Sequence, residues 1–240
     1  MTEAARRTLV VVGAGGFGRE TVEAVRALNA TGRGWRIAGY VDDDPARTGT
    51  VIDGVPVLGG TAELARMPDV SVVVCTGRPG NYVSRAHIVG RLGLPAERYA
   101  TIIHPSASVS GTSRVGPGSV LLAQAVLTAA VTVGSHVAIM PHVTLTHDDV
   151  IGDFATVASG VRLGGGVRVG ECAYLGAGAL VREQRSIGPG ALVGMGAVVT
   201  RDVPAGQVWT GLPARYLREA ATAAASSGAD GVTIGKLGAQ

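Results

Sequence analysis

The sequence predicts two architectures in series, an α/β unit followed by an all-β parallel solenoid. Three observations carry this expectation. From Ile103 to Val199 every sixth residue is Ile, Val or Leu, seventeen positions without a slip. Four residues after each aliphatic runs a second column. It is small or β-branched at fifteen of its seventeen places, Asp149 and Arg185 being the exceptions. Ahead of the repeat, the β-branched run Thr8 to Val12 leads straight into Gly13-Ala14-Gly15-Gly16-Phe17-Gly18 and then a stretch with helical spacing.

A period of six fits neither a helix nor an alternating strand. It fits a coil of three hexads, each hexad giving one short strand and one corner. The large aliphatic fills the inside of a corner and the small residue faces the crowded axis. Composition agrees, with 37 glycines and only 4% aromatic residues. A narrow interior leaves no room for rings, and tight corners favour glycine.

The N-terminal unit reads as a buried strand at Thr8 to Val12, a GxGxxG loop and a helix over Arg19 to Leu28. A second strand follows from Trp35 to Val41 and ends in Asp42-Asp43-Asp44. A third, Ser71 to Thr76, leads into Gly77-Arg78 and a helix over Tyr82 to Leu92. Glycines let a backbone approach a phosphate, and a helix start offers free N–H groups. An acid after the second strand is where a ribose is read. Gly13, Gly15, Gly16, Phe17, Asp42, Asp43, Gly77 and Arg78 are therefore the expected small-molecule crevice of a Rossmann-like unit. The same glycines also suit plain packing of a strand against a helix. The expected domains are residues 1–101, 102–218 and a disordered, partly helical tail at 219–240.

Composition narrows the function classes. The formal charge is +3 and no basic run carries interleaved aromatics, so nucleic-acid binding is not expected. No segment reaches the ~20 apolar residues of a membrane span. Cys75 and Cys172 lack metal-ligand spacing, which suits a reducing cytoplasm.

Within the repeat, chemistry is expected where the pattern breaks. The hexad Leu145-Thr146-His147-Asp148-Asp149-Val150 holds the densest polar cluster. His147 falls in neither inward column and should point out. A neighbouring carboxylate can orient it as a base. One coil further, in the same column, stands Gly165 in the run Gly164-Gly165-Gly166, whose bare N–H groups suit an oxyanion. Asp149 and Arg185 share the inward column two coils apart and suggest a loose polar pair. A zinc site built on His142 and His147, with His136 six residues before His142, lacks a third ligand, since the column two coils before His142 holds Ser106.

These segments resemble a known family. Val12-Gly13-Ala14-Gly15-Gly16, Tyr40-Val41-Asp42-Asp43, Ile103-His104-Pro105-Ser106-Ala107, the run from His147 to Phe154, and Gly211-Leu212-Pro213-Ala214 are similar to the sialic acid O-acetyltransferase and bacillosamine N-acetyltransferase group. The resemblance implies a left-handed β-helix that acetylates sugars or nucleotide sugars from acetyl-CoA, or another acyl-CoA, as co-substrate without a metal. It implies His147 as general base, Asp148 as its orienting acid, and Gly165 as the N–H facing the thioester carbonyl. Gly165, Gly176, Gly194, Gly211, Pro213 and Ala214 would line the CoA side, and the glycine loop with Asp42 and Asp43 would hold the acceptor. It further implies a homotrimer with each site between adjacent solenoids. Two positions depart from the group. Nucleotide-sugar members often carry histidine where this chain has Phe17 and Thr156. The competing expectations are a zinc hydrolyase of the γ-carbonic-anhydrase type and a non-catalytic nucleotide-binding trimeric scaffold.

Overall fold

A computed structural model describes residues 7–32 and 34–220. The α/β unit runs β1 (Thr8–Val12), α1 (Gly16–Ala30), β2 (Arg36–Val41), β3 (Val51–Ile52), β4 (Val55–Pro56), β5 (Ser71–Val74) and α2 (Ser84–Leu92). β1 lies central, parallel to β2 on one side and β5 on the other. Leu9 to Val12 and Val72 to Val74 are buried, as expected of parallel strands covered on both faces. Both helices occur at the predicted places, α1 longer than its apolar spacing indicated and α2 starting two residues later. The β3–β4 hairpin was not anticipated. Its turn, Asp53-Gly54, has both residues at positive φ, and Asp-Gly is a strong hairpin signal.

The solenoid has one two-residue strand per hexad, starting at Ile102–Ile103 and ending at Val198–Val199. Paired strands are parallel and register at a spacing of one 18-residue coil, as in Val126 with Thr144 and Thr156 with Tyr174. Three faces result. Face one stacks from Ile102–Ile103, face two from Ser108–Val109 and face three from Arg114–Val115. The aliphatic column is buried from Leu121 onward, and Ala125, Val131, Val143, Ala155 and Ala179 of the small column are fully buried behind it. Three residues after each aliphatic from Val115 to Val193 the chain turns left-handed, for example at His136, His142, Asp148 and Phe154.

The α/β unit rests on face one. Val120 and Leu122 of the solenoid join its core with Leu9, Val25 and Tyr40. The far end of the solenoid is closed by an antiparallel hairpin of Gln207–Gly211 and Ala214–Glu219, joined through Leu212-Pro213. The expected tail boundary at residue 219 thus falls inside a paired strand, because Glu219 registers with Gln207. The helix and disorder expected beyond it lie outside the described residues. No helix among the described residues is long and apolar enough to cross a membrane.

Candidate active site

His147 stands on the corner between face two and face three. The preceding strand, Thr144–Leu145, belongs to one face and the following strand, Val150–Ile151, to the other. Its neighbour Asp148 has φ of 64°, a left-handed setting that aspartate tolerates. This turns the carboxylate back, and His147 Nδ1–H donates to Asp148 Oδ2 at 2.9 Å. Because a carboxylate only accepts, the pairing assigns the proton to Nδ1 and leaves Nε2 as a free acceptor. Both side chains are exposed. The imidazole lies over Gly165. A Cβ there would sit against His147 Nε2 and Cε1 well inside van der Waals contact. Among the described residues, the Gly165 N–H donates no hydrogen bond. An imidazole with a free ring nitrogen and an unengaged amide thus occupy one spot on an open corner.

Asp149 faces inward, fully buried. Its Oδ2 accepts from Thr146 N and its Oδ1 from Val167 N, each at 2.8 Å. Burial raises its pKa to about 6, against the pull of those two amides. The expected pairing with Arg185 does not form. Arg185 leaves the axis for solvent and bonds the Glu183 carbonyl at 3.3 Å and Asp202 Oδ1 at 3.5 Å. A guanidinium is too large for the axis, and the aliphatic stem lets the charge reach water.

The glycine loop divides into two jobs. Gly13 and Gly18 are fixed by packing. A Cβ on Gly13 would lie 2.8 Å from the Cys75 carbonyl oxygen, and one on Gly18 would strike the Gly13 carbonyl. Gly15 and Gly16 face open space, with nothing within 4 Å of an added Cβ. They line a crevice of ≈ 220 Å³ with Gly13, Phe17, Asp42, Arg47, Thr76 and Gly77. Asp42 Oδ2 accepts from Ala14 N at 2.8 Å and from Arg47 at 3.1 Å, which closes the crevice wall. Asp43 and Arg78 lie elsewhere. Asp43 accepts from the Thr61 amide and hydroxyl at 2.7 and 2.8 Å and pairs with Arg91. Partial burial pushes its pKa up, but the Thr61 and Arg91 contacts outweigh that and hold it below the ordinary value. Arg78 is exposed in a turn with Asn81.

A second cavity, ≈ 150 Å³, lies between the α/β unit and face one. Its lining includes Phe17, Arg85, Met140, Thr156, Ala158 and Tyr174. Phe17 and Gly77 line both cavities, so the two adjoin. Arg85, which sequence reasoning missed, is the largest fully buried side chain, 1% exposed. Its Nε donates to the His136 carbonyl at 3.0 Å and one terminal nitrogen to the Thr76 carbonyl at 2.6 Å. The other reaches the Phe154 carbonyl at 2.9 Å, the Ala155 carbonyl at 3.1 Å and Thr156 Oγ1 at 2.7 Å. No carboxylate faces it among these partners, and burial lowers its pKa to about 10. Tyr82 adds a second tie, its hydroxyl donating to the Gly190 carbonyl at 2.8 Å. Phe17 sits beside this arginine, with the guanidinium carbon 5.9 Å from the ring centroid.

On the expected CoA side, Gly176 and Gly194 have a packing reason of their own. A Cβ on Gly176 would lie 2.6 Å from Met195 N, and one on Gly194 2.6 Å from Thr210 Oγ1. Gly211 turns the closing hairpin at φ of 97°, Pro213 lies in its bend and Ala214 is buried against the last coil. His136 and His142 do not converge. His136 is buried against Tyr99 and Phe154 and His142 is exposed on the next corner. Among the described residues no three His, Cys, Asp or Glu side chains gather as a metal site.

The glycine crevice lies beside face one, whereas His147 stands on the corner between the other two faces. A prism of coils that carries an imidazole on one corner and a docked α/β unit on the opposite face is the arrangement of a hexapeptide-repeat acyltransferase. Known proteins agree with that class. Residues 8–92 match the family described as the PglD N-terminal domain. UDP-N-acetylbacillosamine N-acetyltransferase of Bacillus subtilis (strain 168) is 33% identical over 122 residues, 49% of this chain, and the match spans 52% of that relative's length. The acetyltransferase domain of PglB from Neisseria gonorrhoeae FA1090, solved with acetyl coenzyme A, is 31% identical with a TM-score of 0.77, covering 89% of this chain and 100% of that one. A histidine-to-asparagine mutant of perosamine N-acetyltransferase from Caulobacter crescentus, solved with CoA and GDP-perosamine, is 29% identical with a TM-score of 0.78, covering 88% and 97%. The chain belongs to this family of left-handed β-helix sugar acetyltransferases.

Proposed function

We propose that the protein transfers acetyl from acetyl-CoA to the amino group of a nucleotide-linked amino sugar, with His147 as general base. The observation that carries this reading is the His147–Asp148 pair over Gly165, where only glycine fits beneath the ring. The acceptor nitrogen attacks the thioester carbonyl carbon while His147 Nε2 takes its proton. The Gly165 N–H receives the negative charge that develops on the carbonyl oxygen. The carbon–sulfur bond then breaks, and the imidazolium returns its proton to the departing thiolate. Asp148 holds the tautomer and favours the charged ring.

Acceptor binding falls to Gly15 and Gly16, whose faces are open, and to the half-buried ring of Phe17, with Asp42 setting the wall. Because this crevice and His147 occupy different sides of one prism, acceptor held by one chain meets His147 of another. A closed trimer of solenoids supplies such a neighbour with a groove for CoA between each pair. The amine is favoured over a hydroxyl because the relatives named for their reaction are N-acetyltransferases. Free thiol release from acetyl-CoA, assayed against a panel of nucleotide-linked amino sugars and their hydroxyl counterparts, tests the reading. Turnover confined to hydroxyl acceptors overturns the choice of amine, and full turnover by His147→Ala overturns the base.

A further inference from the structure

We infer that Asp149 is a positioning residue for the reaction, its one carboxylate tying the turn that carries His147 to the turn that carries Gly165. This rests on the reading of His147 as base. The two bonds have different jobs. The Thr146 N–H to Oδ2 bond closes the His147 turn on itself, and the Val167 N–H to Oδ1 bond reaches the next coil at the end of the glycine run. Thr146 Oγ1 adds a parallel link to the Leu163 carbonyl at 3.0 Å, and the His147 carbonyl accepts from Gly166 N at 2.9 Å. The gap between imidazole and Gly165 is thereby fixed by bonds on both sides of it.

The same column supplies an internal control. Ser113 Oγ accepts from Val131 N at 3.1 Å and Ser119 Oγ from Val137 N at 2.9 Å, each one coil on. Serine therefore suffices to join two coils at this place, and neither hydroxyl accepts an amide of its own turn. Asp149 is the column's single carboxylate. Keeping a charge there is costly, since burial alone disfavours it. Joining coils does not require that cost. Closing the His147 turn does, because it takes a second acceptor. The charged groups acting on Asp149 are His147, which favours its ionised form, and Asp148, which opposes it.

The test compares Asp149→Asn, Asp149→Ser and Ser119→Ala with the wild-type protein and His147→Ala. Turnover is measured against pH at saturating acetyl-CoA, with acetyl-CoA affinity and melting temperature measured alongside. Asparagine keeps one acceptor and loses the other with the charge. Serine reproduces the Ser119 arrangement and keeps the coil joined if asparagine fails to fold. We expect kcat to fall on the order of ten-fold or more in both Asp149 variants with acetyl-CoA affinity unchanged. We also expect the rising limb of the rate profile to move to lower pH by roughly half a unit or more, since a negative charge beside the base is gone. Ser119→Ala should lower only the melting temperature. If the Asp149 variants behave like Ser119→Ala, with lower melting but normal kcat and pH profile, the positioning role is overturned. That result with an inactive His147→Ala sinks Asp149 alone. An active His147→Ala sinks the base reading instead.

Discussion

The site has two halves built in opposite ways. The His147 corner is made of one turn and the turn stacked on it 18 residues later, and every other coil serves as its background. The junction around Arg85 is made of α2, the loop after β5 and two solenoid corners, and it repeats nowhere. At the corner, the fold supplies a regular frame and a few side chains depart from it. At the junction, one buried cation gathers solenoid carbonyls that lie 51 to 70 residues away in sequence. Chemistry can be concentrated at the first with little cost to folding. The second has to be assembled before the glycine crevice and the cavity on face one adjoin.

The largest expected effect separates the halves outright. His147→Ala should cut turnover by roughly 10²–10⁴, the ordinary worth of a positioned base, and leave the melting temperature in place because the ring is exposed. A matching loss of stability would show that the corner also serves the fold. Gly165→Ala comes next. Its methyl group would press into His147, so the imidazole must swing away from the unengaged amide. We expect kcat to fall by roughly 10² with acceptor KM held, in line with loss of an oxyanion donor. Single-turnover acetyl transfer reads this directly, and an unchanged rate would remove Gly165 from the site.

The corner was legible in sequence because a strict repeat makes any departure visible, and column arithmetic placed Gly165 beside His147. Asp149 was visible as an exception, but its partners were not. A column names neighbours one coil away without saying which amide a carboxylate will accept. Arg185 shows the same limit, since its long stem carries the charge out of a column that the pattern places inward. The glycine loop was legible as a motif. Only packing distinguishes Gly13 and Gly18, which close contacts require, from Gly15 and Gly16, which remain free for a ligand. Arg85 left no signal. It sits in a helix of ordinary amphipathic spacing, and its partners are backbone carbonyls, which sequence cannot mark.

Breaking the junction should give the mirror image of His147→Ala. Arg85→Met keeps the length but removes every donor, stranding the carbonyls of Thr76, His136 and Phe154 along with Thr156 Oγ1, while the Ala155 carbonyl keeps its bond from Ala138 N. The expected cost is about 3 kcal/mol, because unsatisfied buried acceptors carry their full desolvation penalty. Acceptor KM should rise several-fold while acetyl-CoA affinity stays near wild type. Denaturant melts and initial-rate kinetics check the two parts, and a shift in acetyl-CoA affinity of similar size would mean that the halves are not separable.

The smallest effect is a pH signature of the same junction. His136 lies between Tyr99, edge-on at 4.5 Å, and Phe154, stacked at 5.1 Å, and its buried Nδ1 has no hydrogen-bond partner among the described residues. Burial first, and then the Arg85 charge, lower its pKa from 6.5 to about 4. A depressed histidine binds its proton more readily in the unfolded chain. Its neutral form therefore contributes fully above pH 6.5, and the contribution is lost as pH falls toward about 4. By pH 5 the deficit should reach about 2 kcal/mol, a few degrees of melting temperature for a chain of this size. His136→Phe removes the titration at a tolerable backbone, since Phe154 holds the equivalent place one coil on with φ of 60°. The variant's melting temperature relative to wild type should rise between pH 7 and pH 5. His147→Ala, which leaves the junction intact, is melted across the same range as the control. If both histidine variants shift alike, acid sensitivity belongs to the solenoid as a whole and not to the junction.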